Sequence, residues 1–171
     1  MSGLATSMEN LRKVFTPIMA VAPEHEGKSI VEVETRFGTI EFERGNILTF
    51  PKGIPGFQGY SEFGLTKLPV GDDSVLVLLQ SIEPNDLAFF VCSYEPKANL
   101  IDQADLILAC EHLGIAESDC AIVVVANFHK TDDGSKMSVN LRAPILIDVA
   151  NRLAWQYILP NDAYQVRHIL D

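Results

Sequence analysis

The chain has 171 residues, 47% of them hydrophobic, and carries 23 acidic against 13 basic side chains for a formal charge of −10. That length and composition describe one globular domain with a real core and exclude disorder as the default state. The charge argues against bare phosphate-backbone binding, which runs on Lys and Arg, and makes basic proteins the natural electrostatic partners.

Cys92, Cys110 and Cys120 form no CxxC pair and sit among apolar neighbours, the pattern of buried reduced thiols and of a cytoplasmic protein. No stretch approaches the ~18 continuous apolar residues of a membrane span. Arg12-Lys13 ahead of an apolar run imitates a signal peptide only faintly, because Thr16 and Pro17 break the run. Residues 1–28 mix Ser, Gly, Pro and charge without a sustained period and read as a flexible N-terminal extension, with one helical turn around residues 8–14.

Residues 29–171 read as the folded domain. From Ser29 the chain alternates strictly, pauses at Phe37-Gly38, and alternates again over Ile40-Glu41-Phe42-Glu43, which predicts a hairpin. The expected register sets Val33 opposite Phe42, Thr35 opposite Ile40, Glu34 opposite Glu41 and Glu32 opposite Glu43. Four carboxylates then share the outer face. A solvated face is the simple reading; a cationic partner that relieves the like-charge repulsion is the sharper one.

Residues 46–60 stop alternating and start turning. Phe50, Ile54, Phe57 and Tyr60 stand among Pro51, Pro55, Gly53, Gly56 and Gly59. Proline fixes φ and glycine alone takes positive φ cheaply, so the segment is a series of tight turns, and its aromatic groups require cover from a sheet.

Beyond the loop, strands are predicted over residues 63–68, 75–81 and 88–92, with turns over 70–74 and 83–86. Asp102 is a strong N-cap, with Asp105 at the third helical position and Gly114 as the stop, predicting one short amphipathic helix. Residues 121–128 form the most apolar strand, followed by a turn over 131–135 and a strand over 136–142. Pro144 must lie at a strand start, an edge or a bulge, ahead of a hairpin over 145–148 and 152–157. A turn and an extended tail carrying Arg167 and His168 end the chain. The fold class is mainly β: an antiparallel barrel or sandwich with one short amphipathic helix, and a small antiparallel β-barrel-like domain by the resemblance given below.

Catalytic signatures are weak. Ala22-Pro-Glu-His-Glu-Gly-Lys-Ser29 loosely fits a P-loop, but it opens a strand and its glutamates repel phosphate. Gly53, Gly56 and Gly59 follow no βαβ unit and are turn glycines. The four histidines have no metal-ligand spacing, so neither a metal nor another cofactor is expected. Arg142 and Asn140 are polar members of an apolar stretch, and Arg142 is expected to brace the Pro/Gly loop.

Phe37-Gly-Thr-Ile-Glu41, Ile47-Leu-Thr-Phe50, Gly53-Ile-Pro-Gly-Phe57, Leu79-Gln-Ser81, Asn140-Leu-Arg-Ala-Pro-Ile145 and Arg167-His168, in this order, resemble the flagellar assembly factor FliW family. The resemblance covers about Ile30 to the end. It implies a cytoplasmic β-barrel, a monomer when free, without enzymatic activity. It also implies two partners, flagellin before export and the basic RNA-binding translational regulator CsrA, with no direct nucleic-acid or membrane contact. FliW released from flagellin binds CsrA and relieves repression of flagellin translation. Phe50, Pro51, Gly53, Pro55, Gly56, Asn140, Arg142, Pro144 and Arg167 are signature positions that also have structural explanations. Glu32, Glu34, Glu41 and Glu43 are the expected regulator-facing surface, and Ile54 and Phe57 the expected apolar contact for flagellin. The alternative is a small β-barrel enzyme or small-molecule binder with a site at the barrel mouth, which a deep pocket with convergent titratable groups would distinguish.

Overall fold

The computed structural model describes residues 10–11, 13–16, 29–68, 76–83 and 87–170. The strands are β1 (Phe15–Thr16), β2 (Ile30–Thr35), β3 (Gly38–Glu43), β4 (Leu48–Thr49), β5 (Glu62–Lys67), β6 (Leu76–Ser81), β7 (Ala88–Ser93), β8 (Cys120–Thr131), β9 (Gly134–Val139), β10 (Ile145–Asp148), β11 (Leu153–Gln156) and β12 (His168–Leu170), with helix α1 (Gln103–Leu113) between β7 and β8. The P-loop-like stretch up to Lys28 and the expected turns over 70–74 and 84–86 lie outside the described residues.

Strands β10, β11, β4, β5, β6, β7 and β8 pair in that order, and β8 returns to β10, which closes a ring. Closure removes the exposed edges that an open sheet would leave. Pairing is antiparallel except for β11 with β4 and β1 with β5. Inside lie Leu48, Phe50, Phe63, Leu65, Leu79, Val91, Val123, Ile145 and Ile147, so the barrel is filled by side chains.

Strand β8 is longer than the apolar run announced. Its first residues pair with β10 and its last six with β9, on the same edge. Between them, Ile145 stands opposite Val123 and Val139 opposite Ala126, so β9 and β10 advance six residues while β8 advances three. Residues 140–144 are therefore a wide bulge. Pro144 sits at its end, where a missing N–H costs no ladder bond. Of the three places open to Pro144, the bulge end and strand start are the ones it takes, and not an edge, because β10 is flanked on both sides; among the described residues β12, on β9, ends the strand order.

One long face of the sheet carries two covers. The register puts Gly64, Leu78, Phe90, Cys92 and Val124 on that face. Helix α1 covers the β7–β8–β10 end, where Leu106, Ala109 and Cys110 meet Cys120, Ile122 and Leu146. Its ends match the expectation: Asp102 accepts a hydrogen bond from Ala104 N–H at 2.9 Å, and Gly114 closes it at φ +70°. Hairpin β2–β3 covers the β5 end, with Phe42 fully buried against Gly64.

The N-terminal extension departs from expectation where it is described. Lys13 and Val14 N–H groups bond back to the Asn10 and Leu11 carbonyls in one tight turn, and Leu11 and Val14 are wholly buried in the barrel core. Two apolar side chains three residues apart can both reach an interior from a single turn, which is why this part is anchored.

Candidate functional site

The hairpin turns at Arg36-Phe37, one residue earlier than expected, and the register shifts by two: Glu32 faces Glu41, Glu34 faces Thr39, Ile30 faces Glu43, and Val33 faces Ile40. A shift of two preserves the side-chain parity, so the faces stand as expected. Glu32, Glu34 and Glu41 are exposed and Glu43 is half-buried beside them. The Thr39 hydroxyl donates to Glu34 Oε1 at 2.6 Å. One directly opposed carboxylate pair remains, Glu32 with Glu41, and like charges so placed repel.

The Pro/Gly loop is packed. Phe50 is buried and meets Phe63 edge-on at 5.1 Å; Phe57 N–H donates to the Ile54 carbonyl at 2.7 Å. Gly53 and Gly56 take φ of +64° and +87°, and a β-carbon at Gly53 would collide with the Gln58 backbone. Ile54 is only 3% exposed, inside the core, and offers nothing to a partner. Phe57 is 39% exposed and rests edge-on against Phe89 at 5.3 Å. Pro51 and Pro55 are exposed.

Glu83 holds this loop, and no motif announced it. Its Oε1 accepts from Ser61 N–H at 3.0 Å and its Oε2 from the Ser81 hydroxyl at 2.9 Å. Partial burial works to raise the carboxyl, but the hydrogen bonds from Ser61, Ser81 and Glu62 outweigh it and hold the group below its ordinary range.

The bulge carries Asn140 and Arg142. Asn140 Oδ1 accepts from the Arg142 and Ala143 N–H groups, both at 3.1 Å, and the Arg142 carbonyl accepts from Leu159 N–H at 2.8 Å. Arg142 thus braces through its backbone; among the described residues its guanidinium makes no hydrogen bond to the Pro/Gly loop. Arg167 is exposed just before β12.

An aromatic row that sequence reading missed fills the interval between the two covers. Phe37 at the hairpin tip meets Phe90 at 6.1 Å, and Phe90 meets Phe128 of β8 at 5.6 Å, both edge-on. Phe37 is 43% and Phe128 49% exposed. Only packing the separate β2–β3 hairpin over the sheet that holds β7 and β8 brings them together, so no local signal existed.

A cleft of about 70 Å³ lies beside the row, lined by Phe37, Thr39, Ile40, Thr66, Lys67, Leu68 and Leu78. Lys67 is its one titratable residue, and drug-sized ligands occupy roughly 300–1,000 Å³. Among the described residues no group of three His, Cys, Asp or Glu can hold a metal, and no helix is long and apolar enough to cross a membrane. All three cysteines are buried and free.

A closed ring of strands filled by its own side chains, with one helix and one hairpin laid over it, defines a small β-barrel protein. The FliW protein family matches residues 32–170. A flagellar assembly factor FliW of Clostridium botulinum strain Langeland is 34% identical over 136 residues, spanning 78% of this chain and 91% of its own. Another, of Anoxybacillus flavithermus, is 34% identical over 146 residues, spanning 82% and 94%. A crystal structure of the flagellar assembly factor FliW matches with a TM-score of 0.61 at 31% identity, covering 80% of this chain and 94% of that one. The chain belongs to the FliW family of flagellar assembly factors.

Proposed function

We propose that this protein works by binding and not by catalysis: it holds flagellin in the cytoplasm and, when released, binds a basic RNA-binding regulator of the CsrA type and relieves its repression of flagellin translation. The observation that carries the reading is the acidic hairpin face, where Glu32, Glu34 and Glu41 are exposed together on a chain of charge −10. Such a face attracts a basic regulator and adds negative potential beside its RNA path, weakening RNA binding without occupying the RNA site. A flagellin segment that brings an apolar face would be matched by exposed aromatic groups, of which Phe57, Phe37 and Phe128 are the candidates.

The test is calorimetric titration of the chain with CsrA and with flagellin from the same organism, followed by challenge of each complex with the other partner. Binding to both with mutual exclusion is expected. Binding to neither overturns the reading and returns attention to the small-molecule alternative.

A further inference from the structure

Helix α1 is held to the ring where its last turn meets the first residue of β8. Cys110 lies in that turn and Cys120 opens the strand; both are wholly buried, and their sulfurs stand 3.2 Å apart. The backbone between them is tied at both ends: Ile115 N–H donates to the Cys110 carbonyl at 2.9 Å, and Val149 N–H to the Asp119 carbonyl at 3.0 Å. The two sulfurs therefore face each other across a held gap. A disulfide needs them at about 2.05 Å, so about 1 Å of approach by side-chain rotation closes it.

The three buried thiols are not equivalent. Burial alone pushes Cys92, in the same core cluster, up to about 11. Cys110 is lowered instead, because a hydrogen bond from the Cys120 thiol outweighs both burial and the Glu117 carboxylate. That same bond, burial and the carboxylate of Asp148, which stands opposite Cys120 in the β8–β10 ladder, raise Cys120. When Cys110 loses its proton, the Cys120 S–H, otherwise 3.8 Å from the Ala121 carbonyl, has the Cys110 sulfur to turn to. One sulfur is thus poised to react and a second touches it, the arrangement of a reactive thiol with its resolving partner.

We propose that Cys110 and Cys120 form a redox modification site, joined as a disulfide by a small neutral peroxide. The Cys110 thiolate attacks one peroxide oxygen; the O–O bond breaks, hydroxide leaves and takes up the proton that Cys110 released, and Cys110 is left as a sulfenic acid. The Cys120 sulfur then attacks the Cys110 sulfur, the S–O bond breaks, and the departing hydroxide takes the Cys120 proton as a second water. Two thiols and one peroxide become one disulfide and two waters. Burial selects the oxidant, since a small uncharged molecule enters through local opening of a helix end far more readily than a bulky or charged one. The bond clamps α1 over the β7–β8–β10 end and acts independently of any partner.

The test is treatment of the folded full-length chain with hydrogen peroxide, followed by intact mass measurement and non-reducing digestion with a protease that cuts after Glu111 and Glu117, which separates the two cysteines. The chain is expected to become lighter by two hydrogen atoms and to carry one link, Cys110 to Cys120. Its thermal midpoint is expected to rise by about 5–10 °C, the scale of closing a short loop. Dithiothreitol, itself oxidised to its cyclic disulfide, is expected to restore both mass and midpoint. C92S should behave as the unmodified chain does, and C110S should lose the link and the rise. An unchanged mass, oxygen added without a link, a link that includes Cys92, or a link made only after denaturation overturns the proposal. If either variant does not fold, the peptide map of the unmodified chain decides alone.

Discussion

The Phe42 ring occupies the space that a β-carbon on Gly64 would need, with the nearest ring atoms Cδ1 and Cε1. Phe42 is fully buried, so the ring cannot swing aside into solvent. The hairpin that carries the acidic face is docked by this one close approach, with Val33 and Ile47 packed around it. Gly64→Ala is expected to cost about 1–3 kcal/mol, as overpacked cores do, and Phe42→Ala about 3–5 kcal/mol through the cavity it leaves. Chemical denaturation measures both. Because Gly64 touches the hairpin and not the barrel interior, G64A should also raise proteolytic sensitivity over residues 30–43 before global unfolding.

Glu83 predicts the acid limb. Its carboxyl is held below the ordinary range, so the unfolded state takes up a proton more readily than the folded one as pH falls. The stability it contributes is present above its unfolded value of 4.5 and is lost as pH falls through the lower folded value. Glu83→Gln is expected to lower stability at neutral pH by about 0.5–1 kcal/mol, the scale of charge-assisted hydrogen bonds reduced by solvent screening at a mostly exposed carboxylate, and to leave stability near pH 3 nearly unchanged. Thermal melts of both proteins from pH 3 to 7 check this; parallel curves would show that the Ser61 and Ser81 bonds contribute nothing.

The elements legible in the sequence were those whose signals are local. Asp102 and Gly114 bounded the helix because a cap bonds its own first turn and a left-handed residue ends the last. The hairpin faces survived a wrong turn residue because a two-residue slip keeps parity. Non-local features escaped. Nothing near Phe90 announces Phe37 or Phe128, and nothing near Glu83 announces Ser61, because each meeting is created by strand pairing or by hairpin packing between residues far apart in the chain. Leu11 and Val14 carried a usable signal in their spacing, but two apolar residues amid Ser, Gly and charge fall below what periodicity can separate from an extension. Ile54 was misplaced for the converse reason: a loop of turns need not be a surface loop when its apolar groups reach the core.

Cys92 predicts the alkaline limb. Burial pushes its thiol up from 9.0 to about 11, and burial likewise raises Tyr94. The unfolded thiol ionises first, so stability is intact below pH 9 and declines as pH rises toward about 11, by about 2–3 kcal/mol for a shift of this size. Cys92→Ala is expected to make the decline between pH 9 and 11 shallower, with Tyr94 keeping part of it. Denaturation midpoints across that range decide; an unchanged slope would assign the whole alkaline limb elsewhere.

The acidic face carries the functional prediction. Glu32, Glu34 and Glu41 lie on the solvent side of the hairpin, away from the Phe42 contact, so their substitution should leave the fold intact. E32K/E34K/E41K adds positive charge where a basic regulator is expected to approach, and it exchanges the carboxylate repulsion at the 32–41 pair for an ammonium repulsion of similar size, so the stability of the free protein should change little. The triple variant is expected to bind CsrA about tenfold or more weakly, chiefly through slower association, and to lose the salt sensitivity of the unmodified chain between about 50 and 300 mM. Flagellin affinity should move little, because Phe57 and Phe128, its proposed apolar contacts, lie off the hairpin's outer face. Equal loss for both partners would place them on one surface, making their exchange steric; unchanged CsrA affinity would remove the hairpin from the regulator interface altogether.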